Sequence, residues 1–118
     1  MTLRLTPELL EAAYDLLCHT APFDRWNLPA GEDVDFKVIR TDDKRGDYFW
    51  CAKRKQHVIR ISSKCIGTLA NLVETMAHEM IHLHEKASGF ATSAEHSAAF
   101  RKLAAQVCKA HRFDPLAF

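Results

Sequence analysis

Apolar positions recur along this chain with changing periods, and each period predicts a different element. After Thr6-Pro7-Glu8, the residues Leu9, Leu10, Ala13, Leu16 and Leu17 fall three and four apart, the spacing of an amphipathic helix. Thr6 suits an N-cap and Pro7 suits the first helical position, so this helix is expected to run to about residue 19. Pro22, Pro29 and Gly31 then mark a loop, with Phe23 and Trp26 expected to pin it to the body. Three short β-type runs follow, at 35–41, 48–52 and 57–62. Charged turns separate them, and connections this short predict an antiparallel meander. Gly67-Thr68 opens a long helix with an apolar stripe at Leu69, Leu72, Val73, Met76, Met80 and Leu83. Lys86 falls in its last turn and Gly89 suits the C′ position. Ser93 is the expected N-cap of a final helix with Phe100, Leu103, Ala104 and Val107 on its apolar face.

The order predicts one α+β domain over residues 1–118: an N-terminal helix, a three-stranded antiparallel sheet, a second helix and a C-terminal helix. A chain of 118 residues, 47% apolar and 26% charged, has enough material to bury a core without staples. No apolar run reaches transmembrane length, and Met1-Thr2-Leu3-Arg4-Leu5 lacks a signal-peptide core, so a cytoplasmic protein with no membrane partner is expected. The four cysteines, at 18, 51, 65 and 108, include no C-x-x-C pair. That argues against a zinc ribbon or a thioredoxin-like redox pair, and leaves buried reduced thiols as the expectation.

Net charge is +1 but unevenly spread. Residues 1–36 carry two basic and seven acidic side chains, whereas residues 37–64 carry nine basic and three acidic. This basic block can face phosphates, with Lys53, Arg54, Lys55 and Arg60 as candidate DNA contacts. Solvated turn and edge charges that discourage aggregation explain the same residues equally well.

The sharpest chemistry lies in His78-Glu79-Met80-Ile81-His82, an H-E-x-x-H string in the long helix. Residues four apart share a helix face, so His78 and His82 can aim imidazoles at one Zn²⁺ ion. Glu79 stands beside them as a catalytic base for the attacking water. His78 and His82 fall on a different flank from the main apolar stripe, so one face can hold the core while another meets a cleft. A third ligand is required. Six residues past His82 stands Ser88, which disfavours a metzincin, and no inverted H-x-x-E-H string occurs. Glu95 and His96 remain as candidates. His96 shares a helical face with Phe100, Leu103 and Val107, so periodicity favours it over Glu95. Tyr48, His84 and Arg60 are candidates to stabilise the oxyanion. His84 is expected to face away from the metal, and His19, His57 and His111 to be surface or capping residues. Residues 57–62, directly before the site helix, are the expected sheet edge for an extended substrate.

The string 76–82 followed by His96-Ser97-Ala98-Ala99-Phe100-Arg101-Lys102 resembles the SprT-like metallopeptidases. The resemblance covers about residues 35–112. It implies a zincin-like fold, one Zn²⁺ held by His78, His82 and His96, Glu79 as base, and a protein or peptide substrate. It also implies a DNA-linked role, since some members degrade proteins crosslinked to DNA. Ser97 stands where the family usually has Gly, and without a zinc ribbon any DNA contact falls to the 37–64 block. Two other readings compete. An ImmA/IrrE-like regulatory peptidase would use Glu95 as third ligand, and a non-catalytic nucleic-acid-binding protein would hold structural zinc.

Overall fold

The computed structural model describes residues 3–89 and 96–118. Helix α1 spans Pro7–Cys18, and the Thr6 hydroxyl accepts from the Leu9 N–H at 3.1 Å as its N-cap. Short 3₁₀ turns at Phe23–Arg25 and Gly31–Asp33 lead into the strands β1 (Val34–Ile39), β2 (Gly46–Cys51) and β3 (Gln56–Ser62). Helix α2 spans Leu69–Ala87, N-capped by Thr68, and α3 spans Ala98–His111. At the end of α2, Gly89 adopts φ +79°, a conformation that favours glycine and fits the expected C′ residue.

The sheet departs from the expected meander. Its order is β1-β3-β2, with β3 parallel to β1 and antiparallel to β2. It is therefore mixed, and β3, expected at the edge, is central. Burial agrees, because Val58, Ile59, Ile61 and Ser62 are all buried. A half-exposed edge strand cannot have adjacent apolar residues buried on both faces; a central strand can. The connection 40–45 makes this order possible by passing over the end of β3. Ser62 clamps it there: its hydroxyl donates to the Thr41 carbonyl at 2.6 Å, and its N–H donates to the Arg45 carbonyl at 2.7 Å.

The core lies between α1, the inner sheet face and α2. Leu10, Tyr14 and Leu17 of α1 meet Phe36, Ile59 and Ile61 of the sheet and Leu72, Met76, Met80 and Leu83 of α2. Burying each large side chain contributes roughly 1.5–3 kcal/mol relative to exposure. The Tyr14 hydroxyl donates to the Pro29 carbonyl at 2.6 Å and so ties the 19–33 loop to α1. Phe23 is buried and Trp26 half-buried, as expected of loop anchors. Leu69, placed on the apolar stripe by periodicity, is 59% exposed at the first turn of α2.

Strand β2 lies along α2. A Cβ added at Gly46 would stand 2.6 Å from the Arg60 carbonyl and 3.3 Å from Thr75 Cγ2, so only glycine permits this approach. At the other end of the strand, Lys86 Nζ lies 5.9 Å from the Trp50 ring. No helix among the described residues is long and apolar enough to cross a membrane. The cysteines are free, but only Cys108 is buried; Cys18, Cys51 and Cys65 are half-buried, short of the burial expected.

Candidate metal centre

Helix α2 supplies two imidazoles one turn apart, and the chain entering α3 supplies the third. The ligand-capable atoms of His78, His82 and His96 all lie within 4.8 Å of one another. His96 arrives by a different route from the one periodicity implied. Helix α3 begins at Ala98, with the Ser97 hydroxyl capping the Phe100 N–H at 3.2 Å, so His96 precedes the helix. The expected N-cap, Ser93, and the rival ligand, Glu95, lie outside the described residues. Stacking holds His96 in place instead: its ring lies 4.5 Å from that of Phe100, which also stacks on His82 at 4.5 Å.

Each α2 imidazole has one nitrogen already engaged. His78 Nδ1 is 2.9 Å from the main-chain oxygen of Phe118. His82 Nδ1 is 3.4 Å from Glu85 Oε1. Glu85 is buried and receives a hydrogen bond from the Ser97 hydroxyl at 3.4 Å. An acceptor on Nδ1 favours the tautomer with its lone pair on Nε2, the arrangement that orients metal-binding histidines. Burial first, then the neighbouring His78 and His96, push the His82 pKa down to about 4. Its ring is therefore neutral at pH 7, the form a metal requires. Three converging imidazoles, two of them with an outer partner at Nδ1, fit a borderline-soft divalent ion such as zinc. Glu85 escaped the sequence reading, although a carboxylate in the last turn of a helix opposes the helix dipole and is a signal for a local partner. Ser97, inconspicuous as a replacement for glycine, both caps α3 and holds Glu85.

Glu79 is 5% exposed and lines a cleft of about 180 Å³ with His78, Glu74, Thr75, Arg45, Gly46 and Phe118. The residues considered for oxyanion stabilisation are disposed elsewhere. Tyr48 shares a hydrogen bond of 2.7 Å with His57 Nδ1, in a cluster closed by the edge of Trp50. His57 is thus half-buried, not at the surface, and its pKa is lowered by burial and then by Lys86. His84 stacks on Trp26 at 4.3 Å, which keeps it off the metal triangle as expected. His19 is exposed and bonds to the Asp15 carbonyl at 2.8 Å, as a capping residue does. His111 is half-buried between Thr20 and Phe113, which corrects the surface expectation.

Arg60 lies on the outer sheet face, where Asp47 binds its guanidinium through both oxygens, Nε donating at 2.8 Å. Most of the basic block is paired in this way. Lys37 and Arg54 meet Asp35, Lys44 meets Asp47, Arg45 meets Glu74, and Lys64 meets Asp42. Arg40, Lys53 and Lys55 form no ion pair among the described residues. Local acids thus neutralise much of the positive field that composition suggested.

No curated protein matches the sequence. A model of the SprT-like family matches residues 15–116, which adds the last turn of α1 and the loop after it to the 35–112 stretch that carries the resemblance. That match spans most of the chain and encloses the three converging histidines, and the protein belongs to the SprT-like family.

Proposed function

We propose that this protein is a zinc-dependent peptidase in which His78, His82 and His96 hold the ion and Glu79 is the catalytic base. The observation that carries the reading is the convergence of three imidazoles beside a buried carboxylate that opens onto a cleft. Bound zinc supplies Lewis acidity, which acidifies a water molecule and polarises a peptide carbonyl. Glu79 takes a proton from the attacking water as the new carbon–oxygen bond forms. It returns that proton to the nitrogen as the carbon–nitrogen bond breaks, so the amine leaves neutral.

Substrate binding as an added strand requires a free sheet edge. With β3 central, the edge is assigned to β2, whose first residue, Gly46, lines the cleft beside Glu79. DNA-associated proteins are the proposed substrates, with the exposed hairpin tip Lys53-Arg54-Lys55 as the DNA contact. A cytoplasmic location is proposed with them.

The test is zinc stoichiometry by native mass spectrometry on wild type, His96→Ala, Glu95→Ala and Glu79→Gln, with cleavage of a DNA-bound protein assayed alongside. One zinc in wild type, lost in His96→Ala and retained in the other two, supports the three-histidine site. Glu79→Gln should retain the metal and lower cleavage by about 10²–10⁴-fold. Zinc loss only in Glu95→Ala would move the reading to a Glu-ligated regulatory peptidase. Cleavage that survives Glu79→Gln would remove the base assignment.

A further inference from the structure

The residues beyond α3 fold back onto α2. Arg112 ends α3 in the left-handed region, at φ 60° and ψ 35°. The Phe113 N–H then bonds back to the Cys108 carbonyl at 3.1 Å. Asp114 builds the next turn. Its carboxylate accepts from the Leu116 N–H at 2.9 Å, and its carbonyl accepts from the N–H groups of Ala117 and Phe118 at 3.0 Å each. This turn delivers Phe118 to His78, with the main-chain oxygen 2.9 Å from Nδ1 and the two rings 5.2 Å apart. Behind Phe118, Phe113 stacks at 5.6 Å, and His111 stacks on Phe113 at 5.4 Å. His111 Nε2 lies 3.0 Å from the Thr20 hydroxyl just past α1. A stack of rings thus runs from the end of α1 to a histidine of the metal centre.

A neutral imidazole has one N–H and one lone-pair nitrogen. A main-chain oxygen can only accept, so contact with Phe118 selects the form with hydrogen on Nδ1 and the lone pair on Nε2. We propose that the turn 114–118 is a positioning element of the metal centre, which sets the ring orientation and tautomer of His78 through the Phe118 main-chain oxygen. Phe118 also borders both neighbouring cavities: the polar cleft at Glu79, and an apolar groove of about 440 Å³ along Phe100, Ala104 and Pro115.

This inference rests on the metal-centre reading, and its test keeps the two apart. Wild type, a deletion of Phe118, Phe118→Ala and Asp114→Ala are compared by zinc competition against a chelator. The metal-free proteins are compared by circular dichroism and by imidazole ¹⁵N shifts. Outer hydrogen-bond partners of metal ligands are typically worth about 10–100-fold in affinity, and the deletion is expected to lose that much. Phe118→Ala keeps the main-chain oxygen but loses the stacked ring, and Asp114→Ala loses the turn's side-chain bond; both should lose less. Wild-type His78 should show the Nδ1–H form, and the deletion a mixture of tautomers at unchanged helix content. Unchanged zinc affinity together with an unchanged His78 tautomer in the deletion would overturn the proposal. If the deletion unfolds, the two point variants decide the same question by the same spectra. Failure of wild type to bind zinc would remove the metal reading alone, because the tautomer spectra would still decide the role of the turn.

Discussion

The two flanks of α2 carry histidines in contrasting surroundings. On one flank, His78 and His82 converge with His96, each α2 ring held by an acceptor at Nδ1. On the other, His84 lies flat against Trp26, with Ser88 Oγ 3.3 Å from its Nδ1. Burial lowers the pKa of both His82 and His84, but only His82 has neighbouring imidazoles that lower it further. Burial and residue type do not distinguish a ligand from a packing residue here. What distinguishes them is convergence with groups from elsewhere in the chain.

Replacing one histidine on each flank breaks this comparison most sharply. His82→Ala is expected to lose bound zinc by native mass spectrometry. His84→Ala should keep full occupancy and lose its stack on Trp26, a contact worth about 0.5–1.5 kcal/mol in denaturant titration. Zinc loss of equal size in both variants would show that the flanks are not distinct. Removing the acceptor behind His82 sharpens the same contrast: Glu85→Ala should weaken zinc binding by about 10–100-fold in chelator competition. Unchanged affinity would reduce Glu85 to a bystander.

Smaller effects are expected where α2 meets the sheet. Gly46→Ala drives a methyl into the Arg60 carbonyl, and overpacking of this kind costs about 1–3 kcal/mol. Urea unfolding measures it, and a variant as stable as wild type would mean that β2 can shift away from α2 freely. On the outer sheet face, burial works against the charge of Asp47, but its bonds to Arg60 and Lys44 prevail and hold its pKa below the ordinary 3.8. A depressed carboxylate pKa contributes stability above 3.8 that is lost as pH falls through the folded-state value. Wild type should therefore lose more melting temperature than Asp47→Asn as pH falls below 3.8. Parallel profiles would make the pair energetically idle, as many surface pairs are.

Local signals proved legible where the determining interaction was itself local. Thr6, Pro7 and Thr68 marked the helix starts because capping joins residues three apart. Gly89 marked the end of α2 because it alone carries little cost at positive φ. The pairing of His78 with His82 follows from one helical turn. The strand order was not legible in the same way. The short charged segment 40–45 reads as a hairpin turn, yet it crosses the end of β3 because Ser62, some twenty residues on, bonds to it. The adjacent buried residues Val58 and Ile59 were the available sign that β3 is central. His96 was selected by a helical phase it does not have, and stacking on Phe100 is what keeps it within reach of α2.

The amino-acid order alone therefore determined the elements and the H-E-x-x-H face, since both depend on backbone periods and on contacts a few residues long. Tertiary structure decided the register and order of the strands, the delivery of His96, and the arrival of Glu85 and Phe118 behind the site histidines. Those outcomes depend on which distant surfaces pack together. Packing of that kind is a property of the whole core, and no spacing within a single segment encodes it.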